Sequence, residues 1–174
     1  MKEFNSISEL TGNYDAFIVD LWGVIHDGQK LYPGVIETLQ QIKSQGKKLV
    51  FLSNAPRRAG KVKEALSKLG VAEDLYMDAI SSGEDGFQII TKLPVKNYFY
   101  IGPEKDRNIM DGSGLSETGA DKADFAIVTG FDEDNSTIEE KMPQIKAALA
   151  AKLKLYCVNP DLIVVRQDGT KCLC

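Results

Sequence analysis

The sequence predicts an α/β fold organised on a parallel sheet. Short apolar runs alternate with amphipathic helical stretches, the connections between them are brief, and the first 70 residues read strand, helix, strand, helix. Ala16-Phe17-Ile18-Val19 is a short, partly β-branched run that ends on Asp20 and enters the polar turn Leu21-Trp22-Gly23, as a buried strand does. Pro33-Gly34 opens a helix whose Val35, Ile36, Leu39 and Ile42 share one face, and Gly46 stops it. Lys48-Leu49-Val50-Phe51-Leu52 is the second strand, and Val62, Leu66 and Leu69 before Gly70 mark the second helix. Strands joined in this way bind ligands at their carboxyl ends, here Asp20 and Ser53-Asn54.

Beyond Leu93-Pro94 the texture changes, so the chain divides into residues 1–93 and 94–174. The second part holds the aromatic strand Asn97 to Ile101, a glycine-rich loop from Asp111 to Asp121, and the strand Phe125 to Val128. A helix follows along Ile138, Met142, Ile145 and Leu149, with Pro143 expected in its first turn or at a kink. Leu153 to Val158 and Leu162 to Val165 close the chain as strands, with Asn159-Pro160-Asp161 as a turn between them.

With 43% hydrophobic and 26% charged residues among 174, the chain has the composition of a globular protein and not of a disordered or collagen-like one. Its 25 acids against 21 bases leave a net charge of −4, which gives no general attraction to nucleic acid. No segment approaches the roughly 20 apolar residues of a membrane span, and residues 1–6 lack a secretory apolar core, so a cytoplasmic location is expected. Cys157 sits in an apolar run and reads as a buried small hydrophobe, while Cys172 and Cys174 are too few for a metal site. Composition leaves the oligomeric state open.

The residue most suited to chemistry is Asp20. A carboxylate at the end of a buried parallel strand serves as a covalent nucleophile toward phosphorus, as a Mg²⁺ ligand, or as a turn-forming cap, and residue type alone leaves all three open. Ser53, at the end of the neighbouring strand, carries a hydroxyl suited to a phosphoryl oxygen, and the amides near Asn54 precede a helix start that favours anions. Arg57 and Arg58, with Lys61 and Lys63, read as a solvated helix face.

The segments D-L-W-G-V-I-H-D-G, Y-P-G-V-I-E-T-L, G-K-K-L-V-F-L-S-N-A-P-R-R and V-N-P-D-L-I-V resemble, in that order, the class IIA hydrolases of the haloacid dehalogenase superfamily. The resemblance implies a partial Rossmann-like core over 1–93 and an incomplete α/β cap over 94–174 that selects the substrate. It implies a Mg²⁺-dependent phosphatase of a small phosphorylated metabolite working through an aspartyl phosphate. Asp20 matches the nucleophile, Ser53 and Asn54 the phosphate-binding pair, and Asp20 with the Trp22 carbonyl the metal ligands, while residues 23–34 match a flap over the site.

Two departures qualify that expectation. The family's acid-base aspartate, two residues after the nucleophile, is replaced by Trp22; if the chain runs extended, i and i+2 share a side and the indole fills the acid's place. His26, the one histidine, is the candidate replacement donor, although its first reading is a plain loop residue. After Val165 nothing resembles the family's lysine and acidic metal-binding motifs, so the chain reads as a truncated or frame-shifted form with weak or no activity. The alternatives are a non-catalytic phosphate-binding module and, further off, a carbon–halogen hydrolase.

Overall fold

The computed structural model describes residues 7–131, 137–161, 163–165 and 171–173. Packing divides the chain into two compact units, one of residues 1–53 with 59–80 and one of 54–58 with 81–174.

In the first unit a single-turn helix α1 (Ser8–Thr11) precedes β1 (Ala16–Asp20), α2 (Val35–Ser44), β2 (Lys48–Ser53), α3 (Ala59–Lys68) and β3 (Asp78–Ser81). The three strands form one sheet in the order β1-β2-β3, with β1 and β2 parallel. Phe17 and Val19 pair with Leu49 and Phe51 and share their face of the sheet, on which Leu49 and Phe51 are fully buried. Val35, Leu39 and Ile42 of α2 and Val62 and Leu66 of α3 are the buried stripes of the two helices. Both helices stop in the same way: Gly46 and Gly70 adopt φ of +67° and +95°, and the following amides, of Lys47 and Val71, reach back to the carbonyls of Ile42 and Leu66. On the other sheet face Ile18 is 75% exposed, and Leu52 and Ile80 are nearly half exposed.

The second unit continues with α4 (Ser82–Ile90), β4 (Asn97–Ile101), β5 (Ser116–Glu117), β6 (Phe125–Val128), α5 (Ile138–Ala150), β7 (Lys154–Cys157), β8 (Ile163–Val165) and β9 (Lys171–Leu173). A parallel sheet in the order β5-β4-β6-β7 is covered on both faces, and β8 and β9 form a separate antiparallel pair. Tyr98, Tyr100, Phe125 and Ile127 pack with Ile90 of α4, whereas Ile101 and Ala126, one residue out of phase, pack with Ala148 of α5. The change of texture near residue 94 thus falls inside this unit, because α4 is bound to the β4–β6 sheet through Ile90 and Phe87. Pro143 is the sixth residue of α5, past its first turn. Cys157 is exposed, contrary to its apolar surroundings in sequence, because β7 is an outer strand of the sheet. Cys174 and Leu162 lie outside the described residues. Among those described, no helix is long and apolar enough to cross a membrane.

Ser81 joins α4 to the segment 54–58. Its buried hydroxyl donates to the Arg57 carbonyl at 2.5 Å and accepts the Glu84 amide at 3.2 Å, a cap that satisfies one of the helix's orphan N–H groups. Ser81→Ala leaves that carbonyl and that amide without their partner, so we expect a loss of about 1–2 kcal/mol in denaturant unfolding. An unchanged midpoint would show the cap to be without energetic consequence.

Candidate active site

The parallel register pairs Asp20 with Leu52, so Ser53 follows one residue beyond, and both β1 and β2 end at the same edge of the sheet. Asp20 is exposed and Ser53 is half-buried. The Leu21 amide donates to Asp20 Oδ1 at 2.8 Å, which orients the carboxylate and leaves Oδ2 for an electrophile or a cation.

Beyond Trp22 the backbone turns back on itself through residues 23–25. Buried Leu21 and Ile25 anchor the turn from within, and the Leu21 carbonyl accepts the amides of Ile25 and His26 at 2.9 and 3.2 Å. The Gly23 amide returns to the His26 carbonyl at 2.9 Å, closing a compact loop. Trp22 itself forms an isolated β-bridge with His26. Its indole lies on Gly28, where an added Cβ would stand 2.7 Å from the ring, and meets His26 edge to face with centroids 6.0 Å apart. Gly28 is required twice over, by that contact and by its φ of +93°.

His26 Nδ1 accepts the Gly28 amide at 2.9 Å, which places the proton of the neutral ring on Nε2. Burial lowers the His26 pKa below its ordinary 6.5, against the opposing fields of Asp27 and Asp20. Asp27 Oδ1 accepts the amides of Gln29 and Lys30 at 2.8 and 2.9 Å, and those bonds, Lys30's first, hold its carboxyl below the usual range.

Asn54 belongs to the second unit, where its side-chain amide donates to Asn159 Oδ1 at 3.1 Å. Asn159 Oδ1 also accepts the Asp161 amide, so the expected turn there is present and has a second partner. The two arginines are not a solvated helix face. They precede α3, and Arg57 pairs at 3.1 Å with Asp106, which is only 3% exposed. Arg58 pairs with Glu84 at 2.8 Å and lies 3.4 Å above the Phe87 ring. Lys61 does remain on the surface, paired with Glu64. Asp106 and Glu84 went unnoticed in the sequence because they lie 49 and 26 residues from their partners.

Among the described residues no group of three or more His, Cys, Asp or Glu side chains is placed to hold a metal. The donors at the strand end are oxygens only, the Asp20 carboxylate and main-chain carbonyls, a set that suits a hard cation retaining several waters and not a thiolate- or imidazole-bound metal.

Two measurements test this turn directly. Trp22 is the only tryptophan, so Gly28→Ala should shift its emission as the indole is displaced, and should cost about 1 kcal/mol or more in stability from the strained φ alone. Identical emission would remove the indole from Gly28. His26, the only histidine, should titrate by NMR below pH 6.5. With its folded pKa lowered, the unfolded chain binds the proton first as pH falls, so His26 contributes stability above 6.5 that is lost on acidification through its folded pKa. A titration at or above 6.5 would contradict the burial.

Comparison with known proteins places this edge in context. The family model described as haloacid dehalogenase-like hydrolase matches residues 17–116, which include both strand ends. The 4-nitrophenylphosphatase of Schizosaccharomyces pombe is 29% identical over 116 residues, covering 64% of this chain and 39% of that protein. Phosphoglycolate phosphatase 2 of Arabidopsis thaliana is 30% identical over 176 residues, covering 94% of this chain and 56% of that one. A crystal structure of a haloacid dehalogenase-like hydrolase from Brucella suis superposes with a TM-score of 0.84 at 28% identity, covering 98% of this chain and 65% of its own. The chain thus spans about half the length of the curated relatives it matches. With the parallel α/β fold and the family match over more than half of its residues, the chain belongs to the haloacid dehalogenase-like hydrolases.

Proposed function

We propose that the chain carries the nucleophilic half of a phosphatase acting on small phosphorylated metabolites, with Asp20 as nucleophile and Ser53 as the donor that orients the phosphoryl group. The observation that carries this reading is the register of β1 against β2, which ends both strands within one residue of each other. The family and the phosphatase activities named for the relatives support it. Asp20 Oδ2 attacks phosphorus, the bond to the leaving oxygen breaks with its electron pair, and an aspartyl phosphate forms. Water then attacks the same phosphorus and returns the electron pair to the carboxylate, releasing phosphate and a proton to solvent.

Asp20 and the Trp22 carbonyl are the groups that would hold Mg²⁺, whose charge would offset the repulsion between carboxylate and phosphate. Asn54, the first residue past β2, completes the phosphate-binding pair in this reading. Residues 94–174 are the cap that selects the substrate, and residues 23–34 the flap beside the site. A second reading, phosphate binding without turnover, draws on Trp22, whose indole N–H is no acid near neutral pH.

Phosphate release from a panel of monoesters, with and without Mg²⁺, decides between them. Asp20→Asn should lower kcat by about 10³-fold or more, as loss of a nucleophile does. Ser53→Ala should lower kcat/KM by roughly 10- to 10²-fold, the value of one hydrogen bond to a charged group. Equal rates for wild type and Asp20→Asn would remove the nucleophile. Calorimetric binding of inorganic phosphate without turnover of any ester would favour the second reading.

A further inference from the structure

We infer that Gly83 is a positioning residue for phosphate binding: having no side chain, it lets the first turn of α4 seat the segment 54–58, which carries the chain on from Ser53 and contains Asn54. The inference rests on Ser53 and Asn54 being the phosphate-binding pair and adds what fixes the geometry of that pair.

A segment that meets a phosphate must keep its carbonyl oxygens away from the anion, because they carry partial negative charge. Two carbonyls of this segment are turned onto α4. The Ala55 carbonyl accepts the Gly83 amide at 3.2 Å and the Ser82 hydroxyl at 3.0 Å, and the Arg57 carbonyl accepts the Ser81 hydroxyl at 2.5 Å. A trans peptide sets its N–H opposite its C=O, so the Arg58 amide points away from Ser81.

So close an approach is possible only over glycine. A Cβ on Gly83 would stand 2.6 Å from both the Arg57 carbonyl oxygen and the Pro56 carbonyl carbon, and main-chain atoms cannot swing aside as the tip of a side chain does. Gly83 is not required by its own backbone, which is helical and lacks the positive φ of Gly23 or Gly28. Glycine is a poor helix former, and here it serves the backbone of a neighbour.

Side chains complete the seat. Arg57 pairs with buried Asp106, Arg58 with Glu84, and the Asn54 side-chain amide donates to Asn159 Oδ1. All of these partners lie in the second unit together with the segment, so its conformation is dictated there and not by β2, which ends at Ser53. A change in α4 or at Asp106 therefore reaches phosphate affinity without moving Asp20, whose place is set by the register of β1.

Calorimetric titration of the full chain with inorganic phosphate, beside 4-nitrophenyl phosphate kinetics, tests this. Gly83→Ala should raise the phosphate Kd and the KM by about 10-fold or more, the scale of a misplaced hydrogen bond to a charged group, with kcat within about 3-fold of wild type. Asp106→Asn, which keeps the shape and removes the charge, should raise both constants by about 3-fold or more. Ile127→Val, a deletion in the core of the same unit, should lower the unfolding midpoint and leave Kd and KM at their wild-type values, which separates positioning from general loosening. Wild-type phosphate affinity in both Gly83→Ala and Asp106→Asn would overturn the inference, and so would an equal weakening in Ile127→Val. Should Ser53→Ala bind phosphate as tightly as wild type, or wild type bind none, the pair assignment beneath the inference falls instead. Asp106→Asn decides alone if Gly83→Ala does not fold.

Discussion

The parallel register of β1 against β2 is the constraint from which the site follows. Side chains alternate across a sheet with a period of two, so sliding β1 by one residue would turn Phe17 and Val19 out of the core and bring Ile18 and Asp20 into it. Phe51 and Leu49, buried at 0% and 2% exposure on the neighbouring strand, resist that slip, because the face they share with Phe17 and Val19 would have to accept a carboxylate. Apolar packing in the middle of the strands thus places a charged oxygen at their end. The position of Asp20 is in this sense a by-product of where four hydrophobic side chains must go.

Beyond the strand end the architecture is carried by backbone more than by side chains. Leu21 and Ile25 pin the turn from inside, and main-chain bonds from Leu21, Gly23 and His26 close it. The side chains that remain are arranged about Gly28: Trp22 occupies the space its missing Cβ leaves, and His26 accepts its amide. One residue without a side chain therefore sets both the position of the only tryptophan and the tautomer of the only histidine.

How legible each part was in the sequence depended on how local its cause is. The strands at Ala16 and Lys48 and the helices at Val35 and Ala59 carry their own signals, namely apolar periodicity and a glycine stop, and they form where the pattern sets them. β3 and α4 escaped notice, although Ser81-Ser82-Gly83-Glu84 holds the Ser and Glu of a capping box that announces the helix. The contacts of the Trp22 indole were not legible because Gly28 and His26 reach it only once the chain has turned back at Gly23. Arg57 and Arg58 were misread for the opposite cause: their neighbours in sequence are polar and ordinary, and what gives them a structural role is Asp106, Glu84 and Phe87, contributed by folding from far along the chain.

The two sheets differ in a way that bears on Asp20. The four-stranded sheet of the second unit is covered on both faces, as parallel strands usually are, whereas the first unit leaves Ile18, Leu52 and Ile80 exposed on one. Asp20 lies two residues from Ile18 and directly opposite Leu52, so it stands on that same face. Any apolar surface laid over Ile18 and Leu52 would also remove water from the carboxylate beside them. Desolvation penalises the charged form of a carboxylate, so the hydrophobic covering of this face and the reactivity proposed for Asp20 are coupled quantities. A change that buried Ile18 would act on that proposed reactivity even if it touched no polar atom at the strand end.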